Sequence, residues 1–373
     1  MTVHDLKKRE ESRLQGLTLF PKHLDIPPAW EEAARRFLKT TGVTLVLGGP
    51  DTGKSTLSQY LVYRAYVAGE PVALVDLDLG QSHLGPPGAL GLGLFPPRFP
   101  GDQGLFPEGL YCIGQTSPVG AILEVAVGSR VLVDQARARG VERVVVNTSG
   151  LVRGFAAHRL KQAEVELLQP QLMLALDRDE ELAPLLRTLD PNRSRTLTLS
   201  VSARALRRGA EERRLYREAR FRRYLAKARS LDFSLTQVVW MGPPLGWGEP
   251  LSPADLSHWS KVLGEEVHYG VAGDSRITLL TDRPISCTPS PESPQRLHLL
   301  DRSSLDHRLV GLWDRSRHTL ALGLLLPSPW SENTLRVMTP LPASQIPEVT
   351  GLSLGRLRLS PSGRELAADT PQA

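Results

Sequence analysis

Short apolar runs alternate with amphipathic stretches through the first half of the chain. "GVTLVLGG" (42–49), "PVALVDLD" (71–78), "GLYCIG" (109–114), "VERVVVNTSG" (141–150), "QLMLALD" (171–177) and "SRTLTLSV" (194–201) read as buried strands, because they are short, rich in aliphatic residues and bounded by turn formers. Between them lie segments of helical period. "IPPAWEEAARRFLKT" (26–40) is opened by prolines. The stretch after Gly53 carries Leu57, Tyr60, Leu61 and Ala65 on one face, and 121–140 ends at Gly140. Helical segments also precede the runs at 171 and 194. Strands alternating with helices predict a parallel sheet with helices on both faces.

Near residue 230 the pattern changes. Helical periods become scarce, and short alternating runs separated by proline and glycine take over, among them "FSLTQVVWMG", "RITLLTD", "RLVGLWD", "TLALGLLL", "TLRVMTP" and "LSLGRLRL". They predict a smaller C-terminal β-rich domain, a barrel or a sandwich. The expected organisation is an N-terminal helical segment (1–40), an α/β domain (41–229) and the β-rich domain (230–373), with the tail "ELAADTPQA" frayed.

A length of 373 residues and a hydrophobic share of 41% suffice for two packed cores and exclude wholesale disorder. No apolar run is long enough to span a membrane, and the charged start "MTVHDLKKREESRLQGL" has no secretion-signal core. Cys112 and Cys287 match no metal spacing and read as reduced thiols of a cytoplasmic protein. The net charge of +5 is a mild bias, but arginines crowd residues 204–229, "RALRRGAEERRLYREARFRRYLAKAR". By charge pattern alone this is equally a solvated helix face.

Candidate chemistry begins after the first strand. Gly48, Gly49, Pro50, Asp51, Thr52, Gly53, Lys54 and Ser55 fit G-x-x-x-x-G-K-[ST], with Thr56 following. Glycines let the backbone curl so that successive N–H groups face phosphate oxygens, and the helix beginning there adds its positive end. Lys54 reaches the outer phosphates and the Ser55 hydroxyl suits magnesium. A strand before and a helix after supply the context this motif requires, so a nucleoside triphosphate with Mg²⁺ is the expected ligand pair. The fold class is a P-loop NTPase-type α/β sheet.

The next strand ends in "VDLDLGQSHLG" (75–85). Asp76 and Asp78 stand two apart on an extended end, so both project to one face, at the sheet edge where ligands bind. One can hold magnesium through water and one can take the proton of an attacking hydroxyl; the alternative is that they cap a turn. Motor ATPases carry the acid on a later strand, whereas "VVVNTSG" ends here without one.

These stretches together resemble the polynucleotide 5′-hydroxyl kinases, a family that includes the RNA kinase of the pre-mRNA cleavage complex, ribosomal-RNA-processing kinases, and archaeal and bacterial relatives. "GGPDTGKST", "DLDLGQ", "GQTSP" (114–118), "NTSGLVRG" (147–154), the arginine-rich helix and the C-terminal strands occur in the family's order. The resemblance implies transfer of the γ-phosphoryl of ATP to the 5′-hydroxyl end of RNA, with DNA also open, and no membrane partner. It makes Asp78 the first choice for activating the hydroxyl and Asp76 the second. It assigns Gln81 to metal waters or phosphate, Thr116, Ser117 and Asn147 to the acceptor side, and Arg208, Arg213 and Arg217 to a catalytic lid. Arg213 and Arg217 are four apart and share a helical face.

Departures from the family pattern stand beside this. Leu151 occupies the position of a base-stacking tryptophan, and Phe155, the nearest aromatic, reads as a core residue. Tyr224 is followed by Leu225 instead of a phenylalanine. His83 reads as bonded to a loop carbonyl and His158 as a surface or packing residue. Trp240, Trp247, Trp259, Trp313 and Trp330 read as core of the second domain. Two rival functions remain at this point, an ATP-binding RNA-processing scaffold with little turnover and a small-molecule kinase.

Overall fold

The computed structural model of the protein describes residues 26–95, 107–192, 194–235, 238–285, 296–327 and 334–366. Expectations for the charged first residues, for Cys287, for Trp330 and for the tail beyond Leu366 lie outside the described residues. The rest falls into two compact units that divide between Arg213 and Arg214.

The first unit holds α1 (Pro28–Lys39), β1 (Val43–Gly48), α2 (Lys54–Val67), β2 (Val72–Asp76), β3 (Ala89–Phe95), β4 (Gly109–Cys112), α3 (Ile122–Ala138), β5 (Val144–Asn147), α4 (Phe155–Leu168), β6 (Leu172–Asp177), α5 (Ala183–Leu189) and β7 (Thr196–Ser200). Its strands lie in the order β7-β6-β1-β5-β2-β3-β4. The strands from β7 to β2 pair in parallel. Alternate residues serve opposite faces, as strand geometry dictates. Val43, Leu45 and Leu47, with Ala73, Val75, Val144 and Val146, pack against α3, α4 and α5. Val46, Val72, Leu74 and Val145 pack against α1 and α2. Both faces are thus covered, which explains why these strands read as continuous apolar runs.

The sheet is not wholly parallel. β3 runs antiparallel to β2 and to β4. Its sequence, "ALGLGLF", lacks the β-branched residues that mark a strand. The glycines are there for space: a Cβ on Gly91 would lie 2.4 Å from the Leu84 carbonyl oxygen. The loop leaving β2 crosses over β3 at that point.

Helix α6 (Ala210–Leu225) bridges the division in sequence. In the second unit β8 (Arg229–Ser234), β16 (Thr334–Thr339), β15 (Thr319–Leu326), β14 (Arg308–Trp313), β17 (Gly351–Arg358) and β9 (Val239–Met241) pair in that order. A second sheet orders β10 (Glu249–Pro250), β11 (Val267–Ala272), β12 (Arg276–Thr281) and β13 (Arg296–Asp301). The β-rich character matches expectation, but a helix stands among the strands. This helix, α7 (Pro253–Leu263), starts with a capping box between Ser252 and Asp255 and stops at left-handed Gly264. Those signals are legible in "SPAD…G". Trp240 and Trp313 are core residues. Trp247 is not: it is 64% exposed. Among the described residues no helix is long and apolar enough to cross a membrane.

Candidate active site

β1 delivers the chain to Gly48, and the backbone then turns through two left-handed residues, Asp51 (φ 55°) and Gly53 (φ 91°), before α2 starts at Lys54. Gly53 caps α2 without a side-chain bond, so the first N–H groups of the helix keep their capacity for an anion. The turn is tight: a Cβ on Gly48 would sit 2.5 Å from Thr52 Oγ1, and one on Gly49 would sit 2.3 Å from Glu181 Oε1. Thr52 Oγ1 donates to the Gly49 carbonyl (3.0 Å), and so does Lys54 Nζ (2.7 Å). The Lys54 side chain is buried, and loss of hydration pulls its pKa down to about 8 despite the favourable charge of Asp78. Gly150, from "NTSG", presses on Pro50 so closely that a Cβ would lie 3.0 Å from the proline nitrogen. Ser55 and Thr56 lie half-buried in the first turn of α2.

Asp76 and Asp78 do different work. Asp76 is the last residue of β2 and is buried. Its Oδ2 accepts from the N–H of His83 (2.7 Å) and the hydroxyl of Ser82 (3.3 Å), and its Oδ1 accepts from the N–H of Asp78 (3.2 Å). Burial raises its pKa against the pull of His83. Asn147, the last residue of β5, joins it to the phosphate loop: Nδ2 lies 2.9 Å from Asp76 Oδ1 and 3.1 Å from Ser55 Oγ. Asn147 Oδ1 is buried without a hydrogen-bond partner. Asp78 stands two residues beyond the strand end. Its Oδ1 accepts from the N–H groups of Gly80 (3.0 Å) and Gln81 (2.9 Å), capping that turn. Its Oδ2 accepts from none of the described residues. The backbone N–H of His83 is what meets Asp76.

The "GQTSP" segment borders the same turn. The Thr116 carbonyl oxygen lies 3.2 Å from where a Gly80 Cβ would be. Gln115 Nε2 donates to the carbonyls of Ser117 (2.5 Å) and Val119 (2.8 Å), and Ser117 Oγ accepts from the Val119 N–H (3.2 Å). Leu151 is half-buried against the core. Phe155, expected in the core, is instead 83% exposed at the start of α4.

Of the lid arginines, two reach the phosphate loop. Arg213 Nη2 donates to Asp51 Oδ2 (2.6 Å), which also accepts from the Arg208 N–H (3.0 Å). Arg208 Nη1 donates to Gln81 Oε1 (2.9 Å). Arg213 Nε is buried without an acceptor. Arg217 is held elsewhere: its Nη2 donates to Glu365 Oε2 (2.8 Å) in a two-pronged ion pair, and the Glu365 N–H binds Glu218.

Sequence reading missed Lys161 and Glu164. Both are fully buried in α4; Lys161 Nζ lies 3.0 Å from Glu164 Oε2 and 3.3 Å from Ser149 Oγ, under the "NTSG" turn. Burial raises the Glu164 pKa even beside this lysine. Their three-residue spacing, on the helix face that also carries Leu160 and Leu168, was the available signal.

Residues 48–227 match the family described as mRNA cleavage and polyadenylation factor CLP1 P-loop. The chain is 32% identical to the polyribonucleotide 5′-hydroxyl-kinase of Thermococcus kodakarensis, over 86% of its own length and 89% of the relative's. It is 29% identical to the protein of the same name from Pyrococcus furiosus, over 92% and 95% of the two chains. A solved Clp1p–Pcf11p complex superposes with a TM-score of 0.57 at 14% identity, covering 88% of this chain and 78% of that one, a likeness of fold.

Proposed function

The chain belongs to the polyribonucleotide 5′-hydroxyl-kinase family, and from that premise we propose that it transfers the γ-phosphoryl group of ATP to the 5′-hydroxyl end of RNA. The residues present fit a triphosphate. The turn has two glycines at positions where a Cβ would clash, a buried lysine, and an Arg213 Nε–H that lacks an acceptor. They also fit Mg²⁺, which takes oxygen donors: Ser55 Oγ, the Asp76 carboxylate and the unpartnered Asn147 Oδ1 would hold the ion or its waters, with Gln81 nearby. When bound, the ion neutralises charge on the phosphate oxygens.

The chain's own groups supply the rest. Lys54 and the α2 N-terminus bind and orient the outer phosphates. Asp78, tethered through Oδ1 alone, takes the 5′-hydroxyl proton on Oδ2 as the 5′-oxygen attacks the γ-phosphorus in line and the bond to the bridging oxygen of ADP breaks. Thr116 and Ser117, bordering that turn, receive the acceptor end. Arg208 and Arg213 offset charge growing on the transferred group. In this reading residues 41–229 form the phosphotransfer domain and 230–373 the β-rich domain, after the N-terminal segment 1–40.

The observation that carries the proposal is the line Ser55–Asn147–Asp76 beside an Asp78 with one oxygen open. The test is incubation with γ-labelled ATP and 5′-hydroxyl RNA or DNA oligonucleotides. Wild type is expected to label RNA, and Lys54→Ala to lose the label. Absence of label on either polymer while ATP binds would overturn the proposal and favour the scaffold.

A further inference from the structure

We propose that Asp51, inside the phosphate loop, is a positioning residue: it fixes the Arg213 guanidinium and the segment carrying Arg208, and so leaves Arg213 Nε–H to serve a phosphate oxygen. This deepens the kinase reading and rests on it.

Three contacts converge on this one residue. Its Oδ2 accepts from Arg213 Nη2 (2.6 Å) and from the Arg208 N–H (3.0 Å). Its carbonyl oxygen accepts from Arg178 Nη2 (3.0 Å), and the same nitrogen donates to the Ala205 carbonyl (3.1 Å). Arg208 reaches on to Gln81, one turn from Asp78. The chain from Ala205 to Arg213 is therefore fastened to the phosphate loop at Asp51 by both backbone and side chain. The Asp51 side chain is 7% exposed and that of Arg213 33%, so the ion pair is partly withdrawn from solvent.

The backbone accommodates the carboxylate. Asp51 has φ 55°, the left-handed region in which a side chain costs energy and glycine does not. Aspartate is among the few side chains that tolerate this region, so the position can carry a carboxylate where most side chains would be strained. Arg213, for its part, spends Nη2 on Asp51 and keeps Nε buried with no acceptor, a donor left unmet at a cost. An acid that holds one edge of a guanidinium while another edge faces the reaction plays the part of an orienting group behind a catalytic one.

The test is a double-mutant cycle on the full-length chain. Asp51→Asn is the main variant, since asparagine tolerates the left-handed backbone, and Asp51→Gly is the second, since it removes the acceptor without strain. Arg213→Gln completes the cycle. We expect Asp51→Asn to lower kcat for RNA labelling roughly tenfold, the scale of one charge-assisted hydrogen bond, with KM for RNA unchanged. Adding it to Arg213→Gln should cause no further loss, because both act through one group. Wild-type kcat in both Asp51 variants, or losses that multiply in the double variant, would overturn the proposal. The same cycle measured on ATP affinity separates the two claims. If wild type binds ATP but labels nothing, the kinase reading fails, while non-additive affinity losses still uphold the Asp51–Arg213 coupling and multiplicative ones reject it.

Discussion

The fold takes the Lys54 ammonium out of water. The residue is 5% exposed, and its pKa falls from 10.5 to about 8 because its ammonium loses water inside the phosphate loop. A lysine depressed in the folded state binds fewer protons than the unfolded chain between about pH 8 and 10.5, so its destabilising effect is complete below pH 8 and is relieved as pH rises. A triphosphate reverses this by restoring the charge. ATP affinity should therefore be flat below pH 8 and decline above it, with net proton uptake on binding. Calorimetry at alkaline pH in buffers of different ionisation heat measures that uptake, and Lys54→Met should abolish it. Asp78→Asn is a second residue-scale prediction. Its amide oxygen can keep the Gly80 and Gln81 contacts, so the melting temperature should hold while kcat falls by about 10²–10⁴. The phosphate turn and both acids were legible because their chemistry demands fixed residue types. The different hydrogen-bond partners of Asp76 and Asp78 were not, because they depend on where β2 stops.

At the scale of elements, α4 is anchored by an ion pair sealed from water. Lys161→Met should destabilise by about 3–5 kcal/mol, since it leaves the Glu164 carboxylate buried and uncompensated, and Lys161→Met with Glu164→Leu should recover most of that. Denaturant unfolding of the single and double variants checks both. Aliphatic runs revealed β1, β2, β5 and β6, because strands covered on both faces have no polar side. β3 escaped, since its alternating glycines, required by the passage of Leu84, remove the side chains a strand is recognised by. α7 escaped for another reason: none of its residues is buried, so it has only its caps to announce it. Phe155 escaped because a lone phenylalanine says nothing about which way a helix start faces.

Across the whole molecule, a chain with a net charge of +5 concentrates arginine in one stretch, 204–229, and the structure assigns individual members of it different partners. Arg208 and Arg213 bind Asp51, and Arg217 binds Glu365. Charge density alone leaves a lid level with a solvated helix; the contacts show which of these arginines meet the phosphate loop. Relatives aligned over nearly the whole length carry the second unit as well, so the full chain is the object to assay. The decisive measurement follows γ-labelled ATP in the presence of 5′-hydroxyl RNA, 5′-phosphorylated RNA, or none, with wild type and Asp78→Asn in parallel. Label should appear only on the 5′-hydroxyl RNA and only with an intact Asp78. Release of labelled inorganic phosphate at one rate in all three mixtures, with no labelled RNA, would contradict the account.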